Sequence, residues 1–114
     1  MIIESALGMY VREPEIIIKK LYTYLRFKDL DKVLSYYDDN AKLKKNKKTT
    51  MGHKKIKENI LQIALHIHLQ EIYCSGDTVF VKGRDRSDQI EGDFLHMHKI
   101  KNGKIIYSQI FNNF

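Results

Sequence analysis

In the first half of the chain, apolar residues recur every three or four positions, which is the period of an α-helix. A first helix is predicted to begin at residues 13–15, Glu-Pro-Glu, because proline is tolerated in the first turn and acidic side chains there complement the helix dipole. Its apolar stripe consists of Ile17, Leu21, Tyr24 and Leu25. A second helix is predicted from Asp29, a good N-cap, to the polar residues 38–40, and a third begins near Gly52. Residues 1–12 have no clear period and are predicted to form an arm or a short helix.

The pattern changes after the third helix, where apolar and polar residues alternate as they do along β-strands. Four segments show this alternation: 66–74, 78–85, 92–101 and 104–111. The first two flank residues 75–77, Ser-Gly-Asp, and the last two flank Asn102-Gly103, and both turns are typical of tight hairpins. The lysine-rich residues 42–50 are predicted to form a short strand that runs into an exposed loop. Three helices followed by a four-stranded meander predict an α+β domain, with helices on one face of a curved antiparallel sheet.

Length and composition fit one domain that spans residues 1–114. A chain of 114 residues with 43% hydrophobic content can bury a core of its own. Its 20 basic and 14 acidic residues give a formal charge of +6, which attracts anions such as acidic metabolites, nucleic acid or an acidic partner. The one cysteine, Cys74, cannot form an internal disulfide, and the amino terminus has neither the shape of a signal peptide nor the apolar run of a membrane span. A cytoplasmic protein with no membrane segment is expected.

Four short sequence segments lie at residues 28–31, 36–41, 51–56 and 102–105. In their order and spacing they resemble the SnoaL-like branch of the nuclear transport factor 2-like superfamily. The resemblance covers residues 14–114 and implies a cone-shaped, curved antiparallel sheet of about four to six strands, packed on three N-terminal helices around a pocket. It also implies a homodimer through the outer face of the sheet. Members include isomerases, dehydratases, cyclases and non-catalytic binding proteins, so the fold does not fix the function.

The chain departs from the ketosteroid isomerase pattern within this superfamily. Lys45 stands where the resemblance places the catalytic aspartate, and Leu95 stands where it places the aspartic acid of the oxyanion hole. Leu21 stands near the position of the oxyanion tyrosine, with Tyr22 one residue away. Steroid isomerisation needs a carboxylate that takes a proton and neutral acids that stabilise an enolate. A lysine and two leucines supply neither, so this chemistry is excluded.

The first hairpin predicts which of its residues face the helices. With residues 76 and 77 as the turn, four cross-strand pairs share one face: Cys74 with Val79, Ile72 with Val81, Gln70 with Gly83, and His68 with Asp85. The other face carries Glu71 opposite Lys82, an opposite-charge pair that is typical of a solvated surface. The first face is therefore predicted to be the inner one.

The last hairpin is assigned from its turn and from the family match. Three pairs are predicted on the inner face: Met97 with Ser108, Leu95 with Ile110, and Asp93 with Asn112. The outer face then carries Phe94, His96, His98, Tyr107 and Phe111. This aromatic surface is predicted to mediate dimerisation. A slip of one residue in register would exchange the two faces.

Inward polar residues are the candidates for catalysis. Asp85 opposite His68 would fix the tautomer of the imidazole and increase its basicity, as a general base requires. The alternative is that the two side chains form an ordinary cross-strand hydrogen bond or salt bridge. Asp93 in an apolar interior would suit a general base or acid, unless it lies in water at the start of its strand. Tyr22 or Tyr24 would donate to the developing oxygen charge, or would be core tyrosines with satisfied hydroxyls. The other predicted pocket residues are Gln70, Met97, Ser108 and Asn112.

Two further features of the sequence are candidate binding sites. Histidines alternate at residues 66–68 and 96–98, but the predicted register places the two pairs on opposite faces, so no metal and no cofactor is predicted. The lysines of residues 42–48, together with Lys54, Lys55 and Lys57, could bind phosphates. Because no helix-turn-helix, aromatic stacking platform or zinc finger accompanies them, a solvated loop is favoured over nucleic-acid binding, and a rim that steers an anionic ligand is the alternative.

The sequence leaves two main hypotheses for the function. The first is a protein with a small-molecule pocket, acting as an isomerase, dehydratase or cyclase by proton transfer on an anionic ligand. The second is a non-catalytic dimeric binding or assembly module whose basic rim holds an acidic partner. Nucleic-acid binding through the lysines is a weaker third. No particular substrate is indicated.

Overall fold

The structure is a computed structural model that describes residues 2–4, 10–63, 67–86 and 91–112, with side chains for 13–60, 68–84 and 92–111. The helices of this part of the chain are α1 (Glu13–Arg26), α2 (Leu30–Ser35) and α3 (His53–Ile63). The strands are β1 (Ile2–Glu4), β2 (Tyr10–Arg12), β3 (Tyr37–Lys45), β4 (Lys48–Met51), β5 (Ile67–Ser75), β6 (Thr78–Arg86), β7 (Glu91–Lys101) and β8 (Lys104–Asn112). The predicted arm contains the antiparallel ribbon of β1 and β2 instead of a short helix.

The three helices begin where the sequence predicted, but α2 ends early. Asp29 caps α2, and its Oδ1 accepts a hydrogen bond from the backbone N–H of Lys32 at 3.4 Å. The helix stops at Ser35, because the carbonyl of Tyr36 accepts from the N–H of Ile105 at 2.8 Å and so joins the chain to β8. Residues 38 and 39, predicted to lie in the last turn of this helix, therefore lie in β3.

Six strands form one curved, unclosed sheet in the order β4-β3-β8-β7-β6-β5. The α+β prediction of helices packed on a sheet of four to six strands is confirmed. The sheet is mixed, since β3 pairs with β8 in parallel while its other neighbouring strands are antiparallel. The lysine-rich segment contributes the paired strands β3 and β4, where the sequence predicted one short strand and a loop.

The helices cover one face of the sheet, which we call the inner face. Its core is apolar and consists mainly of Ile17, Ile18, Leu21, Val33, Leu43, Ile56, Ile60, Val79, Val81, Phe94, Ile100, Ile105 and Ile110. Helix α3 contributes two of these, and α1 packs against β5 and β6. Among the described helices, none combines the length and the apolar character that a membrane crossing requires.

A β-bulge in the last hairpin reverses the predicted orientation of β7. Ile100 pairs with Ile105 and Lys99 pairs with Tyr107, so that Ile106 has no partner on β7 in this register. Beyond this unpaired residue each position of β8 pairs with the β7 residue one place nearer the turn than predicted, so the partner side chains belong to the opposite set of β7 residues. The prediction for β7 was therefore wrong. The inner face carries Phe94, His96 and His98, and the predicted inward residues Asp93, Leu95 and Met97 lie on the outer face.

A second bulge changes the far end of the β5–β6 hairpin. Near the turn the predicted pairs are confirmed, with Cys74 opposite Val79 and Ile72 opposite Val81. The register then shifts between Leu69 and Glu71, which leaves Gln70 unpaired. The predicted pairs of Gln70 with Gly83 and of His68 with Asp85 were wrong for this reason: Gly83 pairs with Leu69, His68 with Arg84, and Asp85 with Ile67.

Candidate functional site

Four polar side chains lie together in the otherwise apolar interior. His96 and His98 on β7 and Ser108 on β8 are buried on the inner face, with exposed fractions of 4%, 3% and 0%. Tyr22 reaches them from α1 and is itself only 5% exposed. The bulge brings the strand residues together, because it places His98 directly opposite Ser108. Burial of so many polar groups is tolerated only when they hydrogen bond to one another.

These side chains form one continuous chain of hydrogen bonds, which we call the buried network. The Tyr22 hydroxyl lies 2.6 Å from Nδ1 of His96 and 2.9 Å from Nε2 of His98. Nδ1 of His98 lies 2.6 Å from Oγ of Ser108. The same Oγ lies 3.2 Å from the hydroxyl of Tyr37, a residue of β3 that is also buried. The order along the buried network is therefore Tyr37, Ser108, His98, Tyr22 and His96.

The ring of His96 is fixed by aromatic contacts as well. It stacks on Tyr22 with 6.0 Å between ring centroids, and Phe94 lies against it at 4.4 Å. The ring of Phe94 packs over Gly83 on the neighbouring strand, where an added Cβ would lie 2.6 Å from Cζ of Phe94. Glycine at position 83 therefore leaves the space that lets Phe94 hold His96 in place.

Burial keeps the buried network uncharged at neutral pH. It lowers the pKa of His98 to about 3. Burial also lowers the pKa of His96 to about 3, with smaller contributions from the neighbouring His98 and from the positive charge of Lys45. It raises the pKa of Tyr37 to about 12 and that of Tyr22 well above its ordinary value. Both imidazoles and both phenols are therefore neutral at pH 7.

A basic cleft lies at the β3–β4 end of the inner face. It has a volume of about 270 Å³ and is lined by Leu43, Lys45, Asn46, Lys48, Thr50 and Asn59. No acidic side chain is among these described lining residues. Lys45 also stands in the same row of the sheet as His96, because each pairs with Ile110 on β8. The cleft and the buried network are thus linked through Lys45, whose charge acts on His96.

Two of the predicted pocket residues are part of this site and two are not. Tyr22 and Ser108 belong to the buried network. Tyr24 is half-buried and stacks on Tyr36 with 6.0 Å between ring centroids. Met97 is half-buried on the outer face.

The predicted catalytic residues are not brought together. Asp93 is exposed on the outer face and its Oδ1 lies 3.7 Å from Nε of Arg84, so the apolar surroundings assumed for it are absent. His68 is exposed and lies opposite Arg84. The side chain of Asp85 lies outside the described residues. The predicted interior placement was therefore wrong for Asp93 and His68.

The remaining pocket predictions fall at the ends of strands. Gln70 is exposed at the β5 bulge. The backbone of Asn112 pairs with Phe94 instead of Asp93, and its side chain lies outside the described residues. In the part of the chain that the structure describes, no three His, Cys, Asp or Glu side chains come together as metal ligands would.

Sequence reasoning missed His96, His98 and Tyr37 as interior polar residues. The two histidines were placed outside because the register was carried from the turn without the bulge. Tyr37 was placed on a helix that ends two residues before it. The alternation of His96 and His98 did correctly indicate that both side chains share one face.

Comparison with known proteins gives a likeness of structure and none of sequence. No protein-family model and no curated protein matches the chain. Among solved structures, an NTF2-like protein of unknown function from Cytophaga hutchinsonii matches with a TM-score of 0.79 and 7% identity, over 88% of this chain and 89% of that one. TerC, co-crystallized with polyporic acid, matches with a TM-score of 0.76 and 21% identity, over 90% and 92%. A putative ketosteroid isomerase from Kribbella flavida matches with a TM-score of 0.81 and 7% identity, over 90% and 78%.

At identities this low the likeness concerns the fold and carries no activity with it. The helices on a curved sheet, the order of the elements and these structural neighbours agree with the resemblance that the sequence suggested. The chain has the nuclear transport factor 2-like fold.

Proposed function

We propose that this protein binds a small anionic molecule between the Lys45 cleft and the buried network. The observation that carries the proposal is the link between these two features through one row of the sheet, in which Lys45 and His96 flank Ile110. An ammonium group and a neutral imidazole on the two sides of one residue in the same row favour a ligand oxygen that carries negative charge.

The composition of the cleft supports an anionic ligand. Its polar lining supplies ammonium, amide and hydroxyl donors, and the described lining residues include no carboxylate that would neutralise the lysines. The formal charge of +6 on the whole chain would attract the same class of ligand from solution. The neighbour TerC was co-crystallized with polyporic acid, a ligand whose name states that it is an acid.

The buried network supports chemistry at an oxygen atom. A neutral imidazole can donate a hydrogen bond to a carbonyl oxygen, and an ammonium in the same row of the sheet favours negative charge on that oxygen. This arrangement would supply the oxygen-binding part of an isomerisation, dehydration or cyclisation. In this proposal His96 takes the oxygen-binding role and Tyr22, whose hydroxyl contacts both histidines, positions it. Asp93 and His68 have no part because they are exposed.

A binding experiment with matched variants tests the proposal. We expect at least one carboxylate in a panel of small aromatic and aliphatic acids to bind, and its neutral amide to bind more weakly. A ligand at one hundred times its Kd raises Tm by about 10 °C for a chain of this size. Lys45→Met should remove that shift, whereas Lys44→Met, which removes a charge from the neighbouring outer-face residue, should retain it. Binding that survives both Lys45→Met and His96→Phe, or no binding by any acid, would contradict the proposal.

A second function is favoured by the outer face of the sheet. Apolar side chains lie there in adjacent rows, with Tyr73, Leu95 and Phe111 exposed by 56%, 36% and 39%, and with Phe80 and Met97 half-buried. Exposed apolar surface of this kind commonly binds another protein. We propose that a second copy of this chain covers it. This dimer differs from the one that the sequence predicted, because Phe94, His96 and His98 are not part of the surface.

The oligomeric state tests this second proposal. Leu95→Lys places a charge in the middle of the patch, so sedimentation should show monomers where the unmodified protein shows dimers. Phe27→Lys is the matched control, since Phe27 is 74% exposed and follows the end of α1, outside every strand of the sheet. An unmodified protein that sediments as a monomer would exclude the dimer.

A further inference from the structure

Two lysines face each other across the turn of the β3–β4 hairpin. Lys45 is the last residue of β3, Lys48 is the first residue of β4, and the antiparallel register pairs them directly. Side chains of directly paired residues lie on the same face of a sheet, and both of these line the basic cleft. Because like charges in opposite positions destabilise a hairpin, this pair costs stability unless negative charge compensates for it.

The described part of the chain supplies no such compensation. Neither lysine takes part in an ion pair of the described side chains, and none of the described lining residues is acidic. The acid closest in sequence to a lining residue is Glu58, next to Asn59 on α3, and it is exposed and outside the lining. A cleft lined by charges of one sign concentrates ions of the opposite sign, so an anionic ligand is the group that would offset both lysines.

The remaining polar groups of the cleft show which donors a ligand would meet. Nδ2 of Asn59 donates to the carbonyl of Lys55 at 3.0 Å and to Oγ1 of Thr50 at 3.4 Å. The Thr50 hydroxyl donates in turn to the carbonyl of Leu43 at 3.4 Å. These bonds hold the wall of the cleft in place. The lining donors outside the described hydrogen bonds are the two ammonium groups and the side-chain amide of Asn46, which lies in the turn between them.

We infer that the basic cleft binds the phosphoryl group of a small phosphomonoester, a dianion that Lys45 and Lys48 hold together. This inference names the ligand class of the proposed function, and it rests on that function only in that the cleft holds an anion. A phosphomonoester carries close to two negative charges at neutral pH on three acceptor oxygens, which matches two ammonium groups and one amide in number. A carboxylate supplies one charge and would leave one of the two lysines without a counter-charge.

The size of the cleft favours a small molecule. Its volume of about 270 Å³ lies below the range of roughly 300–1,000 Å³ that is typical of pockets for drug-sized ligands. A phosphodiester backbone fits the charge less well, because each of its phosphates carries a single negative charge. The lysine pair therefore favours a small phosphomonoester over a nucleic acid.

Phenyl phosphate and phenyl sulfate are matched probes for the charge of the ligand. Both present a tetrahedral group on the same ring, but at pH 8 the phosphate carries two negative charges and the sulfate carries one. Isothermal titration calorimetry at low ionic strength measures the affinity of each. We expect phenyl phosphate to bind on the order of tenfold more tightly, because its second charge meets a second ammonium group. Equal affinities would overturn the inference.

Two variants of the turn test whether the lysine pair causes this preference. Lys48→Met leaves one ammonium group in the cleft, so the two probes should bind with similar affinities. Lys47→Met makes the same change of charge at an exposed residue of the same turn that does not line the cleft, and it should keep the preference of the unmodified protein. Since Lys48 is itself exposed, its loss should not prevent folding. A preference that Lys48→Met leaves unchanged would overturn the role of the pair.

The variant His96→Phe and the probe benzoate separate this inference from the proposed function. If phenyl phosphate shows the expected preference and binds His96→Phe as tightly as the unmodified protein, the dianion site stands and the extension of the ligand to the buried network fails. If benzoate binds, depends on both Lys45 and His96, and is not exceeded by phenyl phosphate, the dianion site fails and the proposed function stands.

Discussion

Ser108 on β8 lies directly opposite His98 on β7, and its Oγ lies 2.6 Å from the His98 Nδ1. This pair exists because Ile106 bulges out of β8, so that the residues of β8 beyond it pair one position nearer the turn than they otherwise would. Without the bulge, Ser108 would pair with Met97, a residue of the outer face, and not with His98. One unpaired residue thus brings the hydroxyl of Ser108 to the face that carries His98.

The stability of the protein should depend on the hydroxyl of Tyr22. Tyr22→Phe keeps the ring but leaves Nδ1 of His96 and Nε2 of His98 without their shared partner. A buried group left unpaired costs about 1–3 kcal/mol, so the free energy of unfolding should fall by about that amount. Urea denaturation measures it. Tyr36→Phe, at a half-buried tyrosine outside the buried network, is the control and should change stability by less than about 0.5 kcal/mol. Equal losses in the two variants would contradict the importance of the contact.

Acid should destabilise the protein through His96 and His98. Their pKa values are lowered to about 3, whereas in the unfolded chain they return to the ordinary histidine value of about 6.5. Above pH 6.5 neither state binds these protons. Between pH 6.5 and 3 only the unfolded state binds them, so stability is lost as the pH falls, by about 1.4 kcal/mol per pH unit for each histidine.

The matched variants for this prediction are His96→Phe and His68→Gln. The first removes one of the two buried imidazoles. The slope of the unfolding free energy against pH between 6 and 4 should therefore fall by about 1.4 kcal/mol per pH unit, which corresponds to one bound proton. The second removes an exposed imidazole and should leave the slope close to that of the unmodified protein. Denaturation at several pH values measures all three slopes. A slope that His96→Phe leaves unchanged would show that His96 is already protonated in the folded state.

The sequence predicted the elements of this fold better than it predicted the site. Helix periodicity, the Asp29 cap and the Asn102-Gly103 turn depend on neighbours within a few residues, and each was confirmed. The faces of the strands depend on register along their whole length, and a bulge is not visible in the alternation of residue types. Tyr22 was identified because the family resemblance places it one residue from the position of the oxyanion tyrosine.

Long-range pairing explains the misplaced catalytic candidates as well. Asp93 was assigned to the interior by counting along β7 from a turn that lies beyond the bulge, and His68 by counting past the second bulge at Gln70. In each case the count was correct near the turn and wrong by one residue farther along. The parallel pairing of β3 with β8, which brings Tyr37 and Lys45 to the site, joins segments about 65 residues apart and has no local signal.

The packing of Phe94 over Gly83 should be sensitive to a single methyl group. In Gly83→Ala the new Cβ would lie 2.6 Å from Cζ of Phe94, so the ring must move away from its position against His96. Overpacking of this kind costs about 1–3 kcal/mol of stability. Adding Phe94→Leu should recover part of the loss, because the backbone carbonyl of His68 also crowds position 83. A double-mutant cycle with less than about 0.5 kcal/mol of coupling would contradict the contact.

The charge of Lys45 should act on His96 even without a ligand. It is one cause of the lowered pKa of that ring, although burial is the larger one and remains when the charge is removed. Lys45→Met should therefore raise the pKa of His96 while leaving it well below 6.5. As the pH falls, the loss of stability should begin at the same pH as in the unmodified protein, but it should level off at a higher pH. Lys44→Met, on the outer face of the same strand, should leave the profile unchanged. The measurement is the unfolding free energy of both variants between pH 6 and pH 3. If the two profiles coincide, Lys45 does not act on His96, and the electrostatic link between the cleft and the buried network is absent.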